Sequence, residues 1–235
     1  MDSTRRTARL AGLLYFASGL TAPFALLYVP GKLFVEGDPT ATAEHLRSSE
    51  GLLRAGIAAE IVGSILFVFV ALTLYRLFEP VSKTPALAML VLILISFPIS
   101  FLNLLNELAA LYLAQGGSGS GFWSVLGANP HEALAYLLLR LHDQGYVVAQ
   151  IFWGLWLFPF GICVMRSGFI PRFLGVLLMI AGCGYVADSF AALALPQFRH
   201  AVDEVTTITN LGEVPMIFWL LIWGARARRV EVHAA

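Results

Sequence analysis

Residues 52–78 read LLRAGIAAEIVGSILFVFVALTLYRLF, and the charged side chains in this run are Arg54, Glu60 and Arg76. An α-helix of about 20 mainly apolar residues spans the hydrocarbon core of a bilayer, because lipid offers the backbone polar groups no hydrogen-bond partner outside the helix. The segment is long enough and apolar enough to do so. It therefore predicts a transmembrane helix.

The rest of the chain has the same character. Of its 235 residues, 58% are hydrophobic and 13% are charged, whereas soluble domains average about 45–50% apolar and about 25% charged residues. The mean hydropathy is +0.78. We expect an all-α polytopic membrane protein, a six-helix transmembrane bundle forming a single domain. The predicted spans are about 10–29, 52–78, 86–114, 145–165, 173–195 and 205–223.

Short interfacial helices are predicted on the outer side of the membrane. Asp38 and Asn129 each precede a proline, which is the pattern of a helix N-cap followed by proline at the first helical position. The first of these helices covers residues 39–49. A helix running unbroken over 130–165 would be about 54 Å long, too long to span upright. We therefore expect a bend near Gly145, with the part before it lying in the outer interface.

Charge distribution predicts the orientation and excludes one class of partner. More of the 15 lysine and arginine residues fall on the side of the termini than on the opposite side. By the positive-inside rule both termini are cytoplasmic, and the protein lies in the inner (plasma) membrane with the lipid bilayer as its partner. A cleaved signal peptide is the competing interpretation of the first segment. The equal numbers of acidic and basic residues leave no excess of positive charge for nucleic acid.

Glycines recur at a spacing that places them on one helix face. Pairs seven residues apart return to nearly the same face of an α-helix, and small residues there let two membrane helices approach closely. We expect these glycines to form helix contact seams, and a homodimer could use the same surfaces. The pairs are Gly12 and Gly19, Gly56 and Gly63, Gly154 and Gly161, and Gly175 and Gly182.

Polar side chains inside the spans are the candidate functional residues, because an ionisable group in the bilayer is costly unless it is paired or hydrated. The direction of each span places them all in the outer half of the membrane. This convergence predicts a polar cavity that is open to the outer face. The candidates are Arg54, Glu60, Asn103, Asn106, Glu107, His142, Asp143, Asp188, Asn210 and Glu213.

The charge of this set indicates what the cavity holds. Its carboxylates outnumber the single arginine, and a low-dielectric site does not hold such an excess of negative charge unsupported. The acids must be protonated, hydrated or matched by a bound cation. The sequence therefore predicts a protein that binds or transports a cation or a small molecule. In a plainer interpretation, the groups near the interface reach water and the asparagines join helices by hydrogen bonds.

Two other function classes stay open. An accessory or structural membrane protein would use the same polar network only to fix the register of its helices. A metal-dependent intramembrane hydrolase acting on lipid would need more histidine than His142 alone supplies within the spans. The chain contains no G-x-S-x-G or H-E-x-x-H motif. The sequence thus assigns no catalytic residue and no cofactor, weighs against an enzyme, and leaves the metal unidentified.

Several short motifs carry a resemblance to a known family. They are ARLAGLLY at 8–15, GDPT at 37–40, ALTLY at 71–75, FWGLW at 152–156 and RSGFIP at 166–171. With these motifs the chain resembles a bacterial multi-pass integral membrane family, domain of unknown function 4386. The resemblance implies the fold and the membrane location and transfers no catalytic residue. It also implies that four of the candidates belong to a family pattern: Arg54, His142, Asp188 and Glu213.

Overall fold

A computed structural model of the chain describes residues 2–116, 130–198, 202, 206, 209 and 211–225. Over these ranges the regular structure is helical and contains no strand. A π-helical turn, Phe24–Tyr28, joins the first two helices, and short 3₁₀ turns occur at Pro196–Phe198 and Leu211–Glu213. The α-helices are α1 (Asp2–Pro23), α2 (Val29–Leu33), α3 (Pro39–Ser48), α4 (Glu50–Phe78), α5 (Lys83–Ala114), α6 (Pro130–Ser167), α7 (Arg172–Ala194) and α8 (Val214–Ile222).

Helices long and apolar enough to cross a bilayer confirm the polytopic all-α fold. Within the described ranges there are five, namely Ser3–Leu33, Glu50–Phe78, Lys83–Ala114, Pro130–Ser167 and Arg172–Ala194. The first four contain the first four predicted spans, and the fifth covers the predicted span 173–195 except for its last residue. The apolar helix Leu211–Ile222 is shorter, and most of 203–210 lies outside the described residues, so the sixth span stays a prediction.

The chain forms two compact units, each with a buried core of its own. The first unit takes in the described residues of Met1–Ala17, Leu66–Ser96 and Gln150–Ala235, and the aromatic side chains of Trp156 and Phe160 are fully buried there. The second unit is built from Ser18–Ile65 and Phe97–Ala149. Its core is aliphatic and includes Leu46, Leu53, Leu104, Leu111 and Leu139.

Large apolar side chains also cover the outside of both units. Leu27, Leu102 and Phe190 are 73%, 67% and 61% exposed, respectively. Exposed apolar surface on this scale is unfavourable in water and is typical of helices that face lipid. This surface supports the transmembrane interpretation independently of helix length.

The predicted glycine contacts are confirmed in the first unit, where glycines let the backbones of α6 and α7 approach each other closely. A Cβ added at Gly161 would lie 2.6 Å from the carbonyl oxygen of Gly175, and one at Gly175 would lie 2.8 Å from that of Gly161. Gly154 and Gly182 approach each other in the same reciprocal way. The prediction is wrong for Gly19, which has nothing within 4 Å of an added Cβ.

The predicted interfacial segment before Gly145 belongs to the long helix α6. This helix runs unbroken from Pro130 to Ser167, so the part before Gly145 is not a separate interfacial helix. Ala135 and Leu139, in that part, are buried in the core of the second unit. This half of α6 therefore packs against other residues of the second unit.

The capped helix at residue 39 is confirmed. The Asp38 side chain accepts a hydrogen bond of 2.9 Å from the backbone N–H of Ala41, and α3 begins at Pro39. This bond satisfies one of the N–H groups that a helix leaves unpaired at its start.

Asp38→Ala removes the cap and is expected to lower the free energy of unfolding by about 1 kcal/mol. Denaturant unfolding followed by circular dichroism measures the change. Asp38→Asn is the matched control, because asparagine caps about as well as aspartate and is expected to stay close to wild type. Equal stability of the alanine and asparagine variants would contradict the capping role.

Candidate metal centre

Three potential metal ligands of the second unit meet at one point. Glu60 comes from α4, Glu107 from α5 and His142 from α6. His142 Nε2 lies 3.7 Å from Glu60 Oε1 and 3.8 Å from Glu107 Oε1. One ligand atom from each residue lies within 4.8 Å of both others. The sequence placed these residues in one cavity by depth alone, and the fold brings their side chains together.

These three side chains are largely shielded from water. The Glu60, Glu107 and His142 side chains are 12%, 5% and 7% exposed, respectively. By contrast, Arg54 and Glu50 form an ion pair of 2.7 Å in which the side chains are 58% and 38% exposed. Surface ion pairs of that kind are common and contribute little, whereas buried carboxylates need a specific counterpart.

A hydrogen bond on the far side of the ring orients His142. Its Nδ1 lies 3.3 Å from the backbone carbonyl oxygen of Asn103, and because a carbonyl can only accept, Nδ1 carries the hydrogen. In the neutral ring the lone pair is then on Nε2, the nitrogen nearest Glu60 and Glu107. Metal-binding histidines are held in this way, with the other ring nitrogen donating to a carbonyl or carboxylate.

The Asn103 side chain completes the support of His142. Its Nδ2 donates a 2.8 Å hydrogen bond to the backbone carbonyl of His142, and its Oδ1 accepts one of 3.0 Å from Asn106 Nδ2. Gly145 makes room for this arrangement, since a Cβ there would collide with the Asn103 side-chain oxygen. The absence of a side chain at Gly145 thus leaves a space that Asn103 fills.

One carboxylate oxygen at this point has no partner. Glu107 Oε2 is buried and makes no hydrogen bond within the part of the chain that the structure describes. A buried oxygen of this kind costs free energy unless something satisfies it. A cation bound between Glu107, Glu60 and His142 would do so.

The separations suit a transition-metal ion. Zinc binds histidine nitrogen and carboxylate oxygen at about 2.0–2.2 Å, so two such ligands at a tetrahedral angle lie about 3.4 Å apart by the same geometry. The 3.7 Å and 3.8 Å separations from His142 exceed this value by only a few tenths of an ångström, and all three ligand atoms lie within 4.8 Å of one another. One imidazole and two carboxylates are ligands that Zn²⁺, Mn²⁺ and Fe²⁺ accept.

A cavity of about 330 Å³ in the second unit is lined by two of the three ligands, Glu107 and His142. Its polar wall contains Glu107, His142 and Asp143, together with Glu36 from the segment that follows α2. Sequence reasoning missed Glu36, because nothing in its local pattern separates it from a surface residue. The apolar wall includes Val29, Leu33, Phe34, Leu46, Leu53 and Leu139.

Besides Asn103 and Asn106, two more predicted site residues of the second unit lie outside the ligand cluster. Asp143 is exposed and lines the cavity beside His142. Arg54 pairs with Glu50 and is not one of the residues that line the cavity. Arg54, the one basic residue of the predicted set, therefore forms its ion pair with a surface glutamate.

The remaining predicted residues belong to the first unit or lie outside the described part of the chain. Asp188 accepts a 2.7 Å hydrogen bond from Gln150 Nε2. The Tyr15 hydroxyl donates to the Glu213 carboxylate. Asn210 lies outside the described residues. In the first unit, then, both acids have neutral hydrogen-bond partners.

The family and the relative that this chain matches have descriptions that name no activity. Residues 10–224 match the family described as "Domain of unknown function (DUF4386)". An uncharacterized protein of Archaeoglobus fulgidus is 33% identical over 166 residues, which cover 71% of this chain and 82% of the relative. No solved structure matches the chain.

Proposed function

Because the chain belongs to the family described as Domain of unknown function (DUF4386), which names no activity, we propose a function from the geometry of the site. The protein binds one divalent transition-metal ion through Glu60, Glu107 and His142. The ion lies among membrane-spanning helices, at the edge of the cavity in the second unit.

The observation that carries this proposal is the buried Glu107 carboxylate. One of its oxygens faces His142, and the other has no partner within the described residues. A network that served only to hold helices together would pair the carboxylate with a neutral donor, as Gln150 Nε2 does for Asp188 Oδ2. Glu107 instead meets another carboxylate and an imidazole whose lone pair faces it.

Charge balance supports a divalent ion in particular. Glu60 and Glu107 carry two negative charges when both are ionised, and neutral His142 adds none. A divalent cation makes the group neutral as a whole, which is the state that a low-dielectric environment favours. A monovalent cation would leave one negative charge unmatched.

The proposal is tested with purified full-length protein in lipid nanodiscs. The protein is stripped with a chelator, incubated with Zn²⁺, Mn²⁺, Fe²⁺ or Mg²⁺, and desalted before its metal content is determined by mass spectrometry. We expect about one equivalent of a transition metal and a higher thermal unfolding midpoint, because a ligand that binds only the folded state stabilises it. Mg²⁺ is the control, since it prefers an oxygen-only, partly hydrated shell.

Two results would contradict the proposal. One is a metal content no higher than that of the protein-free buffer for every ion. The other is a Mg²⁺ content equal to that of the transition metals, because it would indicate weak association with surface carboxylates instead of a site containing an imidazole.

A further inference from the structure

We infer that the cavity beside the three ligands binds the acyl chain of a neutral lipid ester, whose carbonyl oxygen completes the coordination of the metal ion. This inference rests on the proposed metal site and names the molecule that would share it. The occupant is defined by an apolar chain, a neutral head group and a carbonyl oxygen, and each of these follows from a different property of the cavity.

The size and lining of the cavity indicate an apolar chain. Its volume of about 330 Å³ falls at the lower end of the range for small-molecule sites. Its apolar lining consists mainly of leucines, among them Leu46, Leu53 and Leu139, together with residues of α2. In the bilayer an acyl chain already has apolar neighbours, so its contacts in the cavity only replace those it loses. The head group must therefore contribute to the binding.

The charges around the cavity indicate a neutral head group. Glu36, Glu107 and Asp143 line it, and of these Glu36 is paired with Arg140 at 2.9 Å. The two ligand carboxylates already neutralise a divalent ion. A fatty acid carboxylate or a phosphate would add negative charge to a group that the metal ion has already made neutral, and an unmatched charge in a membrane is unfavourable. An ammonium head group has no lone pair to offer the metal ion.

The ligand set indicates where a carbonyl oxygen would bind. Three protein ligands leave a tetrahedral metal ion with one open position, which is the arrangement of sites that bind water or substrate. Glu107 and His142 both line the cavity, so an ion bound to them borders it. The carbonyl oxygen of an ester is a neutral ligand that can take this position while the chain extends among the leucines.

The test is photolabelling in nanodiscs with a monoacylglycerol that carries a diazirine in its acyl chain. We expect the metal-loaded protein to be labelled at Leu46, Leu53 or Leu139, and this labelling to fall several-fold after chelation or with excess unlabelled monoacylglycerol. Labelling at lipid-facing Leu102 is expected to be insensitive to both treatments. A fatty acid with the same diazirine tests the head group and is expected to label the cavity weakly.

A pair of variants separates cavity binding from general contact with lipid. Leu53→Trp fills part of the cavity and is expected to remove its labelling, whereas Leu102→Trp makes the same kind of change on the lipid-facing surface and is expected to keep it. The metal content of each variant is measured in the same preparation. Competition in the wild-type protein gives an answer that does not depend on how Leu53→Trp folds.

The experiment distinguishes failure of the acyl-chain inference from failure of the metal site. One equivalent of metal with labelling confined to lipid-facing positions would overturn the acyl-chain inference and leave the metal site standing. Absence of bound metal would overturn both. Stronger cavity labelling by the fatty acid than by the monoacylglycerol would overturn the assignment of a neutral head group.

Discussion

Glu107→Gln is expected to weaken the binding of the transition-metal ion by more than about 100-fold. Loss of a residue that only supports a ligand typically costs 10- to 100-fold in metal affinity, and Glu107 is itself one of three proposed ligands. The amide keeps the size of the side chain but replaces an anionic oxygen with a neutral group. Metal titration with a competing chelator, read out as affinity, measures the change.

The same variant is expected to behave differently without metal. In the metal-free protein, Glu107 leaves a buried carboxylate oxygen unpartnered among the described residues, so replacing the acid with a neutral amide is expected to cost no stability. Denaturant unfolding with and without metal therefore separates a ligand from a structural link between helices. A variant that is unstable without metal yet binds metal like wild type would contradict the ligand role.

Glu44→Gln is the matched control for this experiment. Glu44 is exposed on α3, and the exchange is chemically identical. We expect wild-type metal affinity and wild-type unfolding from it. A loss of affinity in both variants would indicate that the protein responds to its overall charge and not to one site.

Gly161→Ala is expected to lower the free energy of unfolding by about 1–3 kcal/mol, the usual cost of inserting an extra carbon into a tightly packed contact. The added Cβ would lie 2.6 Å from the carbonyl oxygen of Gly175 and 2.7 Å from Met179 Cγ. The methionine can move, but the carbonyl belongs to the backbone of α7. The two helices must therefore separate, and denaturant unfolding measures the consequence.

Gly19→Ala makes the same substitution where nothing lies within 4 Å of the added Cβ. An alanine in an open helix position is favoured over glycine by up to about 1 kcal/mol, so this variant is expected to be as stable as wild type or more stable. Opposite signs for the two variants would establish that close backbone contact, and not helix propensity, requires glycine at position 161. Equal effects would contradict it.

The fold was accessible from the sequence because the bilayer imposes a local requirement. Each span must satisfy its own backbone hydrogen bonds and cover about 30 Å of hydrocarbon, so length and hydropathy suffice to find it. The helical period similarly places Gly154 with Gly161 on one face. The sequence does not specify which faces meet another helix, which is why Gly19 was wrongly grouped with the contact glycines.

The candidate site was only partly accessible for the same reason. Asn103 and Glu107 lie four residues apart on α5, so their common face follows from the helix period. The position of a residue along its span gives depth in the membrane but not its neighbours within that layer. Depth grouped Asp188 and Glu213 with Glu107, but it could not identify the neutral partners of these two acids, Gln150 and Tyr15.

The three proposed ligands come from three separate membrane crossings, and this has a consequence for biogenesis. A chain is synthesised from its N-terminus, so α4 and α5 enter the membrane with their two carboxylates before the imidazole of α6 has been made. Metal capture is complete only once α6 has docked, and the energy of binding then adds to the energy of folding. Metal supply during membrane insertion would thus govern how much newly made protein matures and how much is degraded.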